Sequence, residues 1–219
     1  MIVVHDEDLD MYVREPSHDR AEITKKRKWY EQVPLVKADR VLEVGAFIGG
    51  FTRYAAARVD HVVAYEPVKS SYDLAVRNTA HLDNVTLCNS ALVGSKRDTL
   101  PLYVNAGGWL QGASAYITRN CARMVVHVER FQDVIDEYLP TVLSMDCEGG
   151  EYDTLLYAKV PASVRLIDLE VHVRRNEWRQ TTAYQLIAQL EVIGFRADVL
   201  PPIKKHWAES SIKTLWRRA

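Results

Sequence analysis

The sequence predicts an α/β fold: a mostly parallel sheet with helices on both faces and an antiparallel C-terminal strand. Three observations carry this. Short apolar runs alternate with helical stretches from Val41 to Cys88, a β-α-β-α-β pattern that calls for parallel strands and right-handed crossovers. A glycine-bearing turn, Gly45 to Gly50, joins the first of these strands to the first helix. The chain ends on two apolar segments, Phe195–Leu200 and Ser211–Trp216, joined through Pro201-Pro202, which read as a hairpin-like pair at one sheet edge.

Taken in order, residues 1–17 are acidic and read as irregular up to Pro16. A helix is expected from Asp19 to Val33, closed by Pro34, with the basic run Lys25-Lys26-Arg27-Lys28 inside it and Trp29-Tyr30 available to pack it onto the main domain. Val41–Val44 and His61–Tyr65 are strands, Phe51–Arg58 and Ser70–His81 helices, and Val85–Cys88 a third strand. Thr99–Val104 and Met124–Val128 read as strands around the Gly-rich stretch 107–114. Phe131–Tyr138 is helical, and Val142–Asp146 is an apolar strand broken by Gly149-Gly150. Then come a helix over Tyr152–Ala158, a strand over Val164–Val173 and a helix over Tyr184–Ile193, stopped by Gly194.

The chain has 219 residues, enough for one domain at roughly 100–200 residues each. We divide it into an N-terminal extension, residues 1–38, holding a lid-like helix, and a main domain, residues 39–219. Lys plus Arg number 28 against 29 Asp plus Glu, a net charge of −1, so bulk charge gives no pull toward nucleic acid or an anionic membrane. Cys88, Cys121 and Cys147 are an odd number without metal-knuckle spacing, which favours a reducing, cytoplasmic setting. The longest uncharged run, Thr99–Thr118, is too polar and glycine-rich for a membrane span. The N-terminus turns acidic at once, unlike a signal peptide.

Four motifs bear on chemistry. Glu43-Val44-Gly45-Ala46-Phe47-Ile48-Gly49-Gly50 places an acid in a strand and a glycine turn before a helix. Gly45 lets the backbone turn and a ligand approach. The helix start offers free N–H groups. Phe47 stands where a dinucleotide fingerprint needs its second glycine, which disfavours a nicotinamide cofactor. Glu43 suits an ammonium group. Glu66 follows Gly45 by 21 residues at the end of the second strand, the offset at which doubly wound folds place an acid on ribose hydroxyls. Together they favour a ligand with a ribose and an amino-acid end, and S-adenosylmethionine has both. Asp146, Glu148 and Glu151 cluster where another strand ends. A helix N-terminus accounts for Glu148 and Glu151, but not for Asp146 at the end of an apolar strand. Glu170 and His172 alternate along the next strand, so both are expected on one face, as a carboxylate–imidazole pair suited to general-base work or metal ligation.

Val41-Leu-Glu-Val-Gly-Ala-Phe-Ile-Gly-Gly-Phe-Thr52, Ala64-Tyr-Glu-Pro67, Asn78, Ser144-Met-Asp-Cys-Glu-Gly-Gly-Glu151 and Leu169-Glu-Val-His172 together resemble the FkbM family of S-adenosylmethionine-dependent methyltransferases. The small-residue segment Gly112-Ala113-Ser114-Ala115 fits the same likeness. The resemblance implies a seven-stranded Rossmann-like methyltransferase fold. It implies that Glu43, Gly45 and Gly49, with Ala46 between them, hold the methionine end of S-adenosyl-L-methionine, that Glu66 holds the ribose, and that Ser90 and Ala91 lie beside the adenine. Two positions depart from the family: Phe47 stands where Asn is frequent, and Ser144 where Lys is frequent, which removes a cation near the acidic cluster.

The expected reaction is methyl transfer to a hydroxyl oxygen of a sugar or small metabolite. Asp146 or His172 would act as base and Glu170 would orient His172, with Glu148 and Glu151 in the acidic cluster. A divalent ion (Mg²⁺ or Mn²⁺) on Asp146, Glu148, Glu170 and His172 is the alternative to a base. A ribose 2′-hydroxyl of nucleic acid is a second acceptor class, served by a basic rim of Lys25–Lys28, Lys204-Lys205 and Arg217-Arg218. A reading of another class is a non-catalytic scaffold that binds the cofactor and tolerates loss of Asp146 and His172.

Overall fold

The structure, a computed structural model, describes residues 2–105, 121–173, 177–200 and 211–219. The segments Gly112–Ala115, Pro201-Pro202 and Lys204-Lys205 lie outside the described residues. Its centre is a seven-stranded sheet. The strands are β3 (Arg40–Val44), β4 (His61–Tyr65), β5 (Val85–Cys88), β9 (Val142–Met145), β10 (Leu166–Val171), β11 (Phe195–Val199) and β12 (Ile212–Arg218). They lie in the order β11-β12-β10-β9-β3-β4-β5. β5, β4, β3, β9 and β10 are parallel neighbours, and β12 runs antiparallel to both β10 and β11. The predicted α/β class and antiparallel C-terminal strand are both present.

Alternation along the strands divides the core. Leu42, Val44, Leu143, Met145, Ile167 and Leu169 pack on one face with α4 (Phe131–Tyr138), α5 (Glu151–Leu155) and α6 (Glu177–Val192). Val41, Val62, Ala64, Val142 and Leu166 pack on the other face with Phe51, Ala55 and Ala56 of α2 (Gly50–Ala56) and Tyr30 of α1 (Asp19–Tyr30). Both faces are thus covered, as parallel strands require. Between β5 and β9 in the chain a three-stranded sheet, β6 (Ala91–Val93), β8 (Cys121–Arg130) and β7 (Thr99–Asn105), forms beside the main one.

The N-terminal segment differs from expectation. Instead of irregular chain, β1 (Ile2–Asp6) and β2 (Met11–Glu15) form an antiparallel hairpin in the register Ile2↔Glu15 to Asp6↔Met11. The acidic turn Asp6–Asp10 dominates the local composition and hides two short strands. Met11 and Val13 bury against Ile23 of α1, Ile48 of the glycine turn and Leu74 of α3 (Lys69–Thr79), and this packing fixes the hairpin. The aromatic pair of α1 does pack onto the main domain, Tyr30 lying edge-on to Phe51 at 5.4 Å between ring centroids. Among the described residues no helix is long and apolar enough to cross a membrane.

Candidate active site

A cleft opens at the carboxyl ends of β3, β4, β9 and β10 and encloses about 1220 Å³, its open mouth included. Of the expected cofactor residues, Glu43, Gly45, Ala46, Glu66, Ser90 and Ala91 line it. Gly49 does not: it caps α2 in a left-handed conformation, φ +86°, with its back to Ala75 of α3.

Gly45 turns at φ +95°, and a Cβ there would stand 2.0 Å from the carbonyl oxygen of Asp146. The close approach that demands glycine is therefore to the end of β9 rather than to a ligand. The amides of Gly45 and Ala46 both donate to the Tyr65 carbonyl, at 2.9 and 3.0 Å, and that of Gly49 donates to Ala46. The turn accordingly contributes shape and its two flanking acids more than free N–H groups. Glu66 Oε2 accepts the Phe47 amide and Oε1 the Val68 amide, both at 2.8 Å, which holds Phe47 in the left-handed region at φ +51°. Burial pushes the Glu66 carboxyl up to about 7 against the pull of these two amides. Burial likewise lifts Glu43 to about 8, although Thr52 donates to it at 2.6 Å. Leu92 of β6 and Leu100 and Leu102 of β7 line the cleft together with Ser90 and Ala91.

Sheet register sets a polar row across the cleft floor. Glu43 pairs with Ser144, and Ser144 with Asp168, so three polar side chains fall side by side on one face. Ser144 Oγ donates to Asp168 at 2.9 Å, and Trp29 Nε1 of α1 reaches the other Asp168 oxygen at 2.7 Å. Burial pushes the Asp168 carboxyl up, against the nearby Lys213 charge.

Beyond this row stands Asp146, bonded by Lys26 Nζ from α1. Lys26 also pairs with Glu22 at 3.1 Å and lies 3.9 Å from Glu170. Burial opposes ionisation of Asp146, but Lys26, Lys213 and His172 outweigh it and hold the carboxyl well below the usual carboxylate range. Lys26 in turn is kept charged despite burial, by Asp146, Glu170 and Glu22. The cation absent at position 144 is thus matched by one from α1 and one from β12. In the sequence Lys26 is one of a basic run expected at the rim, yet Glu22, Ile23, Lys26, Trp29 and Tyr30, all lining the cleft, recur at three- and four-residue spacing, the mark of one helical face.

The Glu170–His172 pair does not form as expected. β10 ends at Val171, so strand alternation stops before His172. Glu170 lies opposite Lys213 across the β10–β12 ladder, 2.6 Å from its ammonium, and accepts Ser211 Oγ at 2.5 Å. Glu151 orients His172 instead: its Oε1 accepts the His172 amide at 2.7 Å and faces Nδ1 at 3.3 Å, while Oε2 accepts the Gly149 amide at 2.9 Å. Glu151 is fully buried and is therefore no substrate-facing member of the cluster. His172 Nε2 lies 3.6 Å from Glu148 and 3.9 Å from Asp146, so the acidic cluster and the histidine do converge. Burial disfavours the imidazolium, yet Glu151 and Glu148 raise the His172 pKa well above its ordinary value. The ring lies outside the cleft lining, and the two carboxylates favour its protonated form. Asp146, Glu148 and His172 come close enough to share a cation, and Glu170 stands outside that group. Lys26 and His172 already neutralise the carboxylates there.

Against known proteins, the methyltransferase FkbM domain model matches residues 43–197. No curated protein sequence matches. Among solved structures, an rRNA methylase from Streptococcus thermophilus is similar with TM-score 0.52 at 10% identity, over 90% of this chain and 95% of that one. A precorrin-6y C5,15-methyltransferase from Geobacter metallireducens is similar with TM-score 0.54 at 11% identity, over 99% and 97%. At such identities the likeness is one of fold.

Proposed function

The chain belongs to the FkbM family of S-adenosylmethionine-dependent methyltransferases, and on that premise we propose that it methylates a hydroxyl oxygen of a sugar or small metabolite, with Asp146 and Lys26 facing the acceptor. The observation that carries this reading is the Lys26–Asp146 pair, which lines the same cleft as Glu43, Gly45 and Glu66. A hydroxyl is at once donor and acceptor, and the pair offers a carboxylate for its proton and an ammonium for its oxygen.

The cofactor, when bound, supplies a methyl group on a sulfonium, whose departure needs no acid. Glu66 would accept hydrogen bonds from the ribose diol, and Glu43 would face the methionine ammonium. Ala91, Leu92, Leu100 and Leu102, with Ser90 beside them, would give the adenine a mainly apolar wall. Asp146 orients the acceptor hydroxyl and takes its proton. A carboxylate of depressed pKa suffices, because the hydroxyl proton becomes strongly acidic as the new C–O bond forms. Lys26 limits solvent access from the α1 side and holds the Asp146 carboxylate in place. His172, clamped by Glu151, is a positioning residue for the segment that carries Asp146.

Besides Glu43 and Glu66 on the cofactor side, the cleft lining holds Glu22, Asp146, Glu148, Asp168 and Glu170 against Lys26 and Lys213, an excess that repels a polyanion. This favours a small acceptor over nucleic acid. Incubating the chain with methyl-labelled cofactor and separate pools of glycans, metabolites, RNA and protein tests the reading. Label in the glycan or metabolite pool, lost in Asp146→Asn, supports it. Label confined to RNA or protein, or turnover indifferent to Asp146→Asn, refutes it.

A further inference from the structure

We infer that the N-terminal β1–β2 hairpin is a working part of the cofactor site, with Asn78 and Arg14 as positioning residues that hold the glycine turn in its binding shape. The inference rests on the reading that Glu66 and the Gly45–Gly49 turn grip the cofactor.

Asn78, on α3 and only 3% exposed, ties the hairpin to the turn with one side chain. Its Oδ1 accepts the Tyr12 amide at 2.6 Å, and its Nδ2 donates to the Tyr12 carbonyl at 3.0 Å and to the Ile48 carbonyl at 2.8 Å. Ile48 lies inside the turn, and Tyr12 lies in β2. Arg14, also buried, is fixed by both oxygens of Asp19, at 2.8 and 3.0 Å, and by Ser71 at 3.2 Å. A bidentate guanidinium–carboxylate pair of this kind is stiff. The Arg14 guanidinium lies 5.2 Å from the centre of the Phe47 ring, close enough for a cation–π contact. Phe47 is the residue whose amide meets Glu66. A third link, from Arg53 of α2 to the carbonyl and carboxylate of Asp10 in the hairpin turn, ties β1–β2 to the helix that follows the glycine turn.

The turn needs such bracing. Gly45, Phe47 and Gly49 all sit at positive φ, and a non-glycine residue there is strained relative to ordinary helical geometry. A segment held in a sparsely populated shape persists only where its surroundings over-determine it. The hairpin, which lies outside the span matched by the family model, supplies those surroundings from behind while the cleft faces the other way.

The test is calorimetric titration of the full chain with S-adenosylhomocysteine, which needs no acceptor. Asn78→Ala and Arg14→Gln are each expected to weaken binding about tenfold, the effect of one or two lost positioning hydrogen bonds. Arg14→Lys, which keeps the charge, should recover part of the loss. Leu190→Ala, in the core of α6 far from the hairpin, serves as a control that lowers the melting temperature without touching the turn. If the hairpin acts only through global stability, Leu190→Ala weakens binding as much as Asn78→Ala at equal melting temperature, and the inference falls. It falls equally if Glu66→Ala weakens binding while the Asn78 and Arg14 variants bind as the unmodified chain does. If the unmodified chain fails to bind, or Glu66→Ala has no effect, the cofactor reading beneath it fails instead.

Discussion

Lys26 on α1 and Asp146 at the end of β9 are bonded to one another across 120 positions of sequence, and both line the cleft. Neither charge is comfortable alone in a buried site. Lys26→Met therefore leaves Asp146 with only Lys213 and His172 as nearby cations, and its carboxyl rises toward the ordinary range. On the acceptor found by labelling, turnover should fall about a hundredfold, the scale of a misplaced catalytic group, because Asp146 loses the ammonium that holds it. Affinity for S-adenosylhomocysteine should stay nearly level. A fall in cofactor affinity of the same size as the fall in turnover would move Lys26 to the cofactor side.

Glu66 carries two backbone amides on its two oxygens besides facing the cleft. Glu66→Ala should weaken S-adenosylhomocysteine by about 1.5–3 kcal/mol, the range for hydrogen bonds to a charged group. Glu66→Gln keeps an acceptor for one amide and should fall between. Titration calorimetry of the two variants against the unmodified chain checks the order.

Burial pushes the Glu43 carboxyl up to about 8, against 4.5 for an ordinary glutamate. A carboxyl raised on folding contributes stability that is fully present below the unfolded value and is lost as pH rises through the folded one. The melting temperature of the ligand-free chain should thus decline between pH about 4.5 and about 8, and Glu43→Gln should flatten that decline. Placing an ammonium beside Glu43 favours the ionised form, so cofactor binding at pH ~6.5, where the amino-acid ammonium stays protonated, should release a proton. Calorimetry in buffers of differing ionisation enthalpy reads this directly, and unchanged proton release in Glu43→Gln would remove Glu43 from the ammonium site.

His172 and Glu151 neutralise each other inside the protein. His172→Ala leaves a buried carboxylate without its partner, a loss of about 3–5 kcal/mol. The expected signature is a large drop in the denaturant midpoint. A stable His172→Ala chain with abolished turnover would restore the histidine as a base.

Asp146 and Glu148 have Lys26 and His172 as counter-charges, so chelation with EDTA should leave turnover unchanged. Loss of activity on chelation, restored by Mg²⁺ or Mn²⁺, would make Asp146, Glu148 and His172 a metal site.

Much of this was legible in the residues. The parallel strands announce themselves as short apolar runs between helices, and Gly45, Glu66 and Asp146 fall where strands end, which is where an open α/β sheet places a ligand. What escaped depends on contacts distant in sequence. Lys26 looks like one charge in a basic run until α1 is laid over β9. Ser144 and Asp168 gain meaning only from register, because nothing local reveals that they stand beside Glu43. Strand alternation pairs His172 with Glu170 in the sequence, but the strand ends one residue earlier, at Val171. The β1–β2 hairpin was hidden by its acidic turn and is stabilised by burial of Met11 and Val13, a tertiary effect.

The missing side chain of Gly45 leaves room for the Asp146 carbonyl, and the Asp146 amide donates to the Val44 carbonyl at 2.9 Å. The spacing between the donor half and the acceptor half of the cleft is therefore set by main chain against main chain, like two teeth of one casting. Side chains around the mouth are free to be exchanged for new acceptors without altering the reach of methyl transfer, whereas any side chain at position 45 would wedge the halves apart and disable every acceptor at once.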